Sequence, residues 1–252
     1  MIKPYYSEPG ITIYHGDCLS ILPKLPDKSV DLILTDPPYG LNYNNGDLAS
    51  RTEAAFGGNK TRMKPRPIQG DDEEKANETF KSFMVESARI LKPCGCCCCC
   101  GGGGGPKPLF ARWTLWMDET PQMHFKQAVV WNKGGLGMGI HYRRNYEFIL
   151  VAQKDGNGAC IWNGGKTTSN IFNIPKIIPQ EEEHPTAKPI ELMEHFIHLH
   201  SNKENIVIDP FFGHGTTLVA AKRLGRKAIG IEICKDYCRI AVKRLQQEVL
   251  PL

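Results

Sequence analysis

Asp36-Pro37-Pro38-Tyr39 combines a carboxylate, two prolines and an aromatic ring in four consecutive residues. Proline has no N–H and a fixed φ angle, so the backbone carbonyl of Pro37 is held beside the Asp36 carboxylate without a competing donor. Two such acceptors can grip both hydrogens of a planar exocyclic amine and direct the nitrogen lone pair at an electrophile. Tyr39 offers a face on which a planar base can stack. The motif therefore predicts binding and activation of a nucleobase amine.

A second motif connects a predicted strand to a predicted helix through a turn that contains glycine, Asp209-Pro210-Phe211-Phe212-Gly213-His214-Gly215-Thr216-Thr217. In this layout a cofactor can approach the backbone closely at the N-terminus of the helix. Glu232 ends the next predicted strand, where a carboxylate can bind the two hydroxyl groups of a ribose. These residues therefore predict a cofactor site.

Either motif alone is equally well explained as a structural turn, because glycine turns and Asp-Pro-Pro runs are common in loops. The combination is stronger evidence. Ligands of open α/β sheets bind outside the carboxyl ends of the parallel strands, so both motifs are expected at the same rim.

The elements that must position these residues alternate between strand and helix, which is typical of an open, mostly parallel α/β sheet in one domain, 1–252. Strands are predicted at 11–15, 30–35, the Cys/Gly tract 94–105, 127–131, 146–152, 205–208 and 227–233, and helices at 18–25, 74–92, 109–117, 189–200, 215–224 and 236–249. We expect a long, mobile, DNA-facing loop at 41–74 and a short target-recognition or connector segment at 154–183.

Together the two motifs resemble the amino-methyltransferases that modify DNA bases with S-adenosylmethionine. The catalytic motif precedes the cofactor motif, as in the permuted beta group of that family. Further segments resemble the same family, namely Gly16 to Leu19, Trp131 to Lys133, Tyr146 to Ala152, His184 to Pro189 and Gly230 to Ile233. The resemblance implies a Rossmann-like methyltransferase fold with an open, mostly parallel seven-stranded sheet, helices on both faces and a circularly permuted motif order.

Carried over position by position, the resemblance also implies the site residues. Asp36, Pro37, Pro38 and Tyr39 would be catalytic and hold the target base. The cofactor would be bound by Asp17 and Cys18 at its adenine, Glu232 at its ribose, Thr186 and Lys188 near its carboxylate, and Asp36, Asp209, Phe211, Gly213, Gly215 and Thr216 around its methionine end.

The first residue of the catalytic motif bears on the target base. Aspartate is usual among the adenine-N6 members of the family, whereas serine is commoner among the cytosine-N4 members. The resemblance thus implies methyl transfer to the N6 amine of an adenine flipped out of double-stranded DNA, without a covalent enzyme intermediate. A cytosine-N4 enzyme stays open because the same geometry could perform its reaction. A catalytically silent DNA-binding relative stays open because the Cys/Gly tract departs from the family.

Basic residues could contact DNA phosphates at two places. One group lies in the 41–74 loop and comprises Arg51, Lys60, Arg62, Lys64 and Arg66; the other is Arg143 and Arg144. A solvated loop and a salt bridge are the structural alternatives for the two groups. The 154–183 segment leaves little room for a recognition insert, so we expect a short recognition site, or help from the 41–74 loop or from the second subunit of a homodimer.

Composition narrows the class of protein further. The 252 residues are 41% hydrophobic and 23% charged with a net charge of +4, which is too mild to prove a polyanionic partner. No membrane span or secretory signal is seen, so we expect a cytoplasmic protein.

Six of the ten cysteines crowd into Cys94 and Cys96 to Cys100. We expect these thiols to alternate through the interior of a sheet, with no metal bound.

Overall fold

The computed structural model describes residues 2–40, 72–101, 109–136, 143–157, 160–176 and 188–247. The strands are β1 (Tyr6–Glu8), β2 (Ile11–His15), β3 (Val30–Thr35), β4 (Leu91–Gly101), β5 (Met123–Asn132), β6 (Tyr146–Lys154), β7 (Ile171–Asn173), β8 (Ile206–Asp209) and β9 (Lys227–Glu232). The α-helices are α1 (Cys18–Ile21), α2 (Glu73–Ile90), α3 (Leu109–Glu119), α4 (Ile190–His200), α5 (Thr216–Arg223) and α6 (Lys235–Gln247), with a 3₁₀ turn at Leu22–Lys24 after α1.

The strands of the described residues form one nine-stranded sheet in the order β1-β2-β9-β8-β3-β4-β6-β5-β7. Neighbours from β2 to β4 are parallel, whereas β6 runs antiparallel to both β4 and β5. All seven predicted strands are present, but the predicted number was wrong because β1 and β7 add a three-residue strand at each edge. Strands this short have too few residues to show a hydrophobic period.

The sheet brings the two sequence motifs to one rim. β3 lies in its middle, between β8 and β4, and all six of its residues are buried, as expected for a strand covered on both faces. Because β3, β8 and β9 are parallel, Asp36, Asp209 and Glu232 all lie at their carboxyl ends. β6 runs the opposite way and therefore begins at this same rim, where Phe148 pairs with Gly101 at the end of β4.

Helices cover both faces of the sheet, as predicted, and each face has its own hydrophobic core. Helices α4, α5 and α6 pack on one face, with Phe196, Val219 and Leu245 buried there. Helices α1, α2 and α3 pack on the other, where the ring of Trp113 stacks on Phe80 with 4.1 Å between centroids. The three- and four-residue steps between the apolar residues of α2 are thus explained by one buried face.

Most of the cysteine tract is the buried interior of β4. Cys96, Cys98 and Cys100 pack in the core on one face of the sheet, and Cys97 and Cys99 in the core on the other. This alternation follows from the two-residue period of a strand, and it confirms the prediction for these five thiols. The prediction was wrong for Cys94, which adopts a positive φ of 67° before the buried run and forms a disulfide with Cys160. The spacing of the two residues, far apart in the chain, gave no sign of this pair.

We expect only one thiol of the native protein to react rapidly with Ellman's reagent. Burial raises the pKa of Cys18, Cys96 and Cys238 to about 12, and that of Cys98 to Cys100 well above the usual value. Reaction requires an accessible thiolate, and among the eight free cysteines only Cys234 is partly exposed. Stopped-flow labelling should show one fast thiol in the native protein and eight after denaturation. Rapid native labelling of several thiols would contradict the packing of β4.

The long predicted loop ends earlier than expected. Asp72 caps α2 by accepting a hydrogen bond from the backbone N–H of Lys75 at 2.9 Å, so residues 73 and 74 are helical and not part of the 41–74 loop. Residues 41–71 of that prediction lie outside the described residues. Among the helices that are described, none is long and apolar enough to cross a membrane.

Candidate active site

The carboxylate of the first motif is held at the rim by two donors. The Asp36 side chain is 30% exposed, and its two oxygens accept hydrogen bonds from the Tyr39 hydroxyl and from Lys188 Nζ, the latter at 2.7 Å. The Tyr39 hydroxyl also lies 3.2 Å from the carbonyl oxygen of Cys100, at the end of β4. Burial, followed by the charge of Asp36, raises the pKa of Tyr39 well above its usual value, so the hydroxyl stays protonated and can donate. The motif is thereby fixed to the neighbouring strand.

Lys188 connects Asp36 to two charged residues to which the sequence assigned no role. Lys188 Nζ lies 3.3 Å from Glu147 Oε2, and Glu147 Oε1 accepts a 2.9 Å hydrogen bond from Lys133 Nζ. The result is a row of alternating charges, Lys133, Glu147, Lys188 and Asp36. Glu147 begins β6 and Lys133 follows β5, and both segments were noted for their family resemblance. Their pairing became visible only when the antiparallel register brought the two strand ends together.

Burial opposes ionisation of Glu147 and Lys188, but the neighbouring charges outweigh it. Burial alone would raise the pKa of Glu147, yet Lys188 and Lys133 hold it below its usual value. Burial alone would lower the pKa of Lys188, yet Asp36, Tyr39 and Glu147 hold it well above its usual value. Lys188 is therefore a cation although its side chain is only 9% exposed.

Asp209 links the catalytic strand to the cofactor strand. Its Oδ1 accepts hydrogen bonds from Thr35 Oγ1 at 2.6 Å and from the backbone N–H of Phe211 at 3.1 Å. Burial raises the pKa of Asp209 to about 7 despite these donors. Thr35, the last residue of β3, is a site residue that sequence reasoning missed. Its buried side chain fixes the end of β3 against the end of β8.

The two glycines of the second motif have different functions. Both have positive φ angles, +52° at Gly213 and +80° at Gly215, which L-residues with side chains rarely adopt. A Cβ at Gly215 would lie 2.8 Å from the Cβ of Ala241 in α6, so this glycine permits helix packing. A Cβ at Gly213 would meet nothing within 4 Å, so the space beside this backbone is open. Thr216 begins α5, and its hydroxyl lies 3.3 Å from Arg244 Nη1.

Glu232 is nearly buried at the end of β9 and oriented by backbone donors. Its Oε2 accepts from the N–H of Gly213 at 3.0 Å and its Oε1 from the N–H of Cys234 at 2.7 Å. Burial raises its pKa. Each carboxylate oxygen can accept more than one hydrogen bond, so both keep acceptor capacity. Ile233, the next residue, is a large apolar side chain that is 44% exposed at this rim.

The remaining predicted cofactor residues are placed as follows. Asp17 caps α1 by accepting from the N–H of Leu19 at 3.0 Å, and the N–H of Gly16 donates to the carbonyl oxygen of Glu232 at 2.9 Å. Asp17 and Cys18 thus adjoin the end of β9, with Cys18 buried. Thr186 lies outside the described residues. Lys188 is salt-bridged to Asp36 and Glu147, and its contact with the cofactor's carboxylate stays a prediction.

The residues predicted to contact DNA are only partly described. Arg143 and Arg144 are exposed and immediately precede β6, so they lie at the same rim as Asp36. The other group, Arg51, Lys60, Arg62, Lys64 and Arg66, lies outside the described residues. Phosphate contact by either group stays a prediction.

A mostly parallel α/β sheet with helices on both faces, and with a glycine turn and three carboxylates at one rim, defines a Rossmann-like fold whose rim can admit a nucleoside cofactor. A family model described as DNA methylase matches residues 30–243. The chain therefore belongs to this DNA methylase family.

Individual relatives cover nearly the whole chain. "DNA adenine methyltransferase YhdJ" of Escherichia coli (strain K12) is 29% identical over 277 residues, which span 93% of this chain and 82% of the relative. Among solved structures, the complex of M1.HpyAVI with SAM is 28% identical with a TM-score of 0.65, and the match covers 93% of this chain and 98% of that one. The cytosine-N4-specific PvuII DNA methyltransferase has a TM-score of 0.73 at 20% identity, covering 99% and 91%. The last likeness shows the fold alone.

Proposed function

We propose that this DNA methylase transfers a methyl group from S-adenosylmethionine to the N6 amine of a flipped adenine in double-stranded DNA. The observation that carries the proposal is the position of Asp36, which is oriented at the same rim as Glu232 and the open turn at Gly213. The printed function of YhdJ, a DNA adenine methyltransferase, supports adenine as the target.

The residues of the rim fit S-adenosylmethionine. The space beside Gly213 can admit a ligand close to the backbone, and Glu232 has acceptor capacity for the two ribose hydroxyls. Ile233 offers an exposed apolar surface for a flat adenine, and Asp17 follows Gly16, whose N–H donates to the carbonyl oxygen of Glu232. The methionine end would be held by Asp209, Phe211, Gly215 and Thr216, with Asp36 adjacent. When bound, S-adenosylmethionine supplies an electrophilic methyl group on a positively charged sulfur.

The catalytic motif would act by orientation. Asp36 and the carbonyl of Pro37 accept hydrogen bonds from the two amine hydrogens, which favours a nitrogen whose lone pair points at the methyl group. Pro38 keeps the backbone rigid and Tyr39 supplies a ring for stacking. The nitrogen forms a bond to the methyl carbon as the carbon–sulfur bond breaks and its electron pair goes to sulfur. The extra amine proton then leaves to water.

The cytosine-N4 alternative receives less support. The PvuII enzyme has the same fold, but its identity is too low to carry its substrate over to this chain. Asp36 is the residue usual among the adenine enzymes that the chain resembles, and YhdJ is named a DNA adenine methyltransferase. An inactive DNA-binding relative is disfavoured because the cysteine run still pairs with both neighbouring strands, Cys96 to Cys99 with β3 and Cys96 to Gly101 with β6.

DNA binding and organisation form the remaining proposals. We place DNA across the rim, with phosphates near the exposed Arg143 and Arg144 and near the basic residues of 41–74. Residues 1–252 would act as one catalytic domain, with 154–183 as recognition segment or connector. A homodimer is proposed because the 154–183 segment leaves little room for a recognition insert, so that a second subunit could help to recognise the DNA. A cytoplasmic location follows from DNA as the substrate.

Incubation with methyl-labelled S-adenosylmethionine and mixed-sequence double-stranded DNA tests the proposed function. We expect the label on N6-methyladenine after digestion of the DNA to nucleosides. Label on N4-methylcytosine would instead support the cytosine alternative. Binding of DNA without any transfer would support the inactive relative.

A further inference from the structure

We propose that Lys188 is a positioning residue for the reaction: it holds the Asp36 carboxylate for the target amine and is itself held by Glu147, which is braced by Lys133. The inference rests on the proposed function, because it assigns Asp36 the role of amine acceptor. It differs from the role that the resemblance implies for Lys188, which is contact with the carboxylate of S-adenosylmethionine.

The geometry favours the role of Lys188 as a partner of Asp36. Lys188 Nζ is 2.7 Å from Asp36 Oδ2 and 3.3 Å from Glu147 Oε2, with its side chain only 9% exposed. It also lies 5.9 Å from the centre of the Tyr39 ring, at the outer limit of a cation–π interaction. The charged and titratable groups that face it are Asp36, Tyr39, Glu147 and the thiol of Cys100. Two of them are carboxylates, so the ammonium group is already well satisfied.

Within the row of charges, each side chain is held in place by the one before it, from Lys133 to Glu147 and from Glu147 to Lys188. Lys133 fixes Glu147 from the β5 end at 2.9 Å, and both side chains are mostly buried at 15% and 25% exposure. Glu147 can therefore anchor Lys188 without moving toward solvent. Since a buried lysine is costly without partners, Lys188 is kept in place by both carboxylates together. The array thus fixes the rotamer of Asp36 before any base arrives.

The array also leaves Asp36 able to accept hydrogen bonds from the target amine. Each carboxylate oxygen has two acceptor positions, so Asp36 can receive the target amine while it keeps Tyr39 and Lys188. Asp36 then orients the amine, and the proton released on methylation passes to water.

The test compares Lys188→Met, Lys188→Arg and Glu147→Gln with the control Lys222→Met. Lys222 makes a similar 2.8 Å ion pair with Glu8, far from the rim. For Lys188→Met we expect the turnover number to fall about 10- to 100-fold, as for loss of a positioning contact. The affinity for S-adenosylmethionine, measured by calorimetry, should stay within about threefold. Lys188→Arg should recover part of the turnover, Glu147→Gln should lose less than Lys188→Met, and the control should match the wild type.

A different pattern would overturn the inference. If Lys188→Met weakened S-adenosylmethionine binding at least as much as it lowered turnover, Lys188 would be a cofactor residue. Equal losses in Lys188→Met and Lys222→Met would indicate a general effect on folding. A substrate-free readout separates this result from failure of the proposed function: in an NMR titration, Lys188→Met should raise the pKa of Glu147, because burial then lacks its largest opposing charge. An unchanged Glu147 titration would contradict the array even if no DNA were methylated.

Discussion

Replacing Asp36 by asparagine is expected to lower the turnover number for DNA methylation about 100-fold or more, because an oriented acceptor in the transition state is lost. Asparagine keeps the size of the side chain but removes its charge, and its amide nitrogen cannot accept from the target amine or from Lys188. The affinity for S-adenosylmethionine should change no more than a few-fold, since the proposed ribose contact is at Glu232. Steady-state kinetics and calorimetry on the same preparation measure both quantities.

A matched control separates the loss of the amine acceptor in Asp36→Asn from the loss of one negative charge on the protein. Asp155→Asn changes an exposed aspartate that follows β6, at the edge of the sheet opposite to the rim. It should leave turnover unchanged. If Asp36→Asn kept turnover within threefold of the wild type, Asp36 would not be the amine acceptor.

Replacing Glu232 by glutamine is expected to weaken S-adenosylmethionine binding about 10- to 100-fold, the range for losing hydrogen bonds to a charged acceptor. In the wild-type protein the Glu232 carboxylate accepts hydrogen bonds from the backbone N–H groups of Gly213 and Cys234. A glutamine NH₂ would place a donor against one of these donors, and only one side-chain oxygen would remain for two ribose hydroxyls. Calorimetric titration with S-adenosylmethionine gives the dissociation constant directly.

Glu204→Gln is the control for this change, because Glu204 is 77% exposed and pairs with Lys227 at the opposite end of β9. It should leave the dissociation constant unaltered. A Glu232→Gln protein with wild-type affinity would exclude the ribose role of this carboxylate.

Much of the fold and of the rim could be predicted because the evidence is local. Apolar residues on both faces of β3, followed directly by the Asp36 to Tyr39 motif, indicated a buried strand with a site at its end. In the same way, Asp209 and Glu232 each come at the end of a predicted strand, which indicated two further positions of the site. Parallel strands then required all three carboxylates to share a rim, without knowledge of the register.

What could not be predicted depends on partners that are distant in the chain. Glu147 looked like one polar residue of a strand, and its pairs with Lys133 and Lys188 exist only in the folded sheet. The Cys94–Cys160 disulfide and the Thr35–Asp209 hydrogen bond have the same origin. β1 and β7 were missed because three residues carry no readable period.

The most direct test of the central claim is single-molecule sequencing of genomic DNA from a bacterial strain that lacks adenine methylation and expresses this protein. The rim that joins Asp36 to the S-adenosylmethionine site predicts N6-methyladenine at one short recognition sequence, and none in cells that express Asp36→Asn. N4-methylcytosine, or N6-methyladenine that persists with Asp36→Asn, would contradict the account.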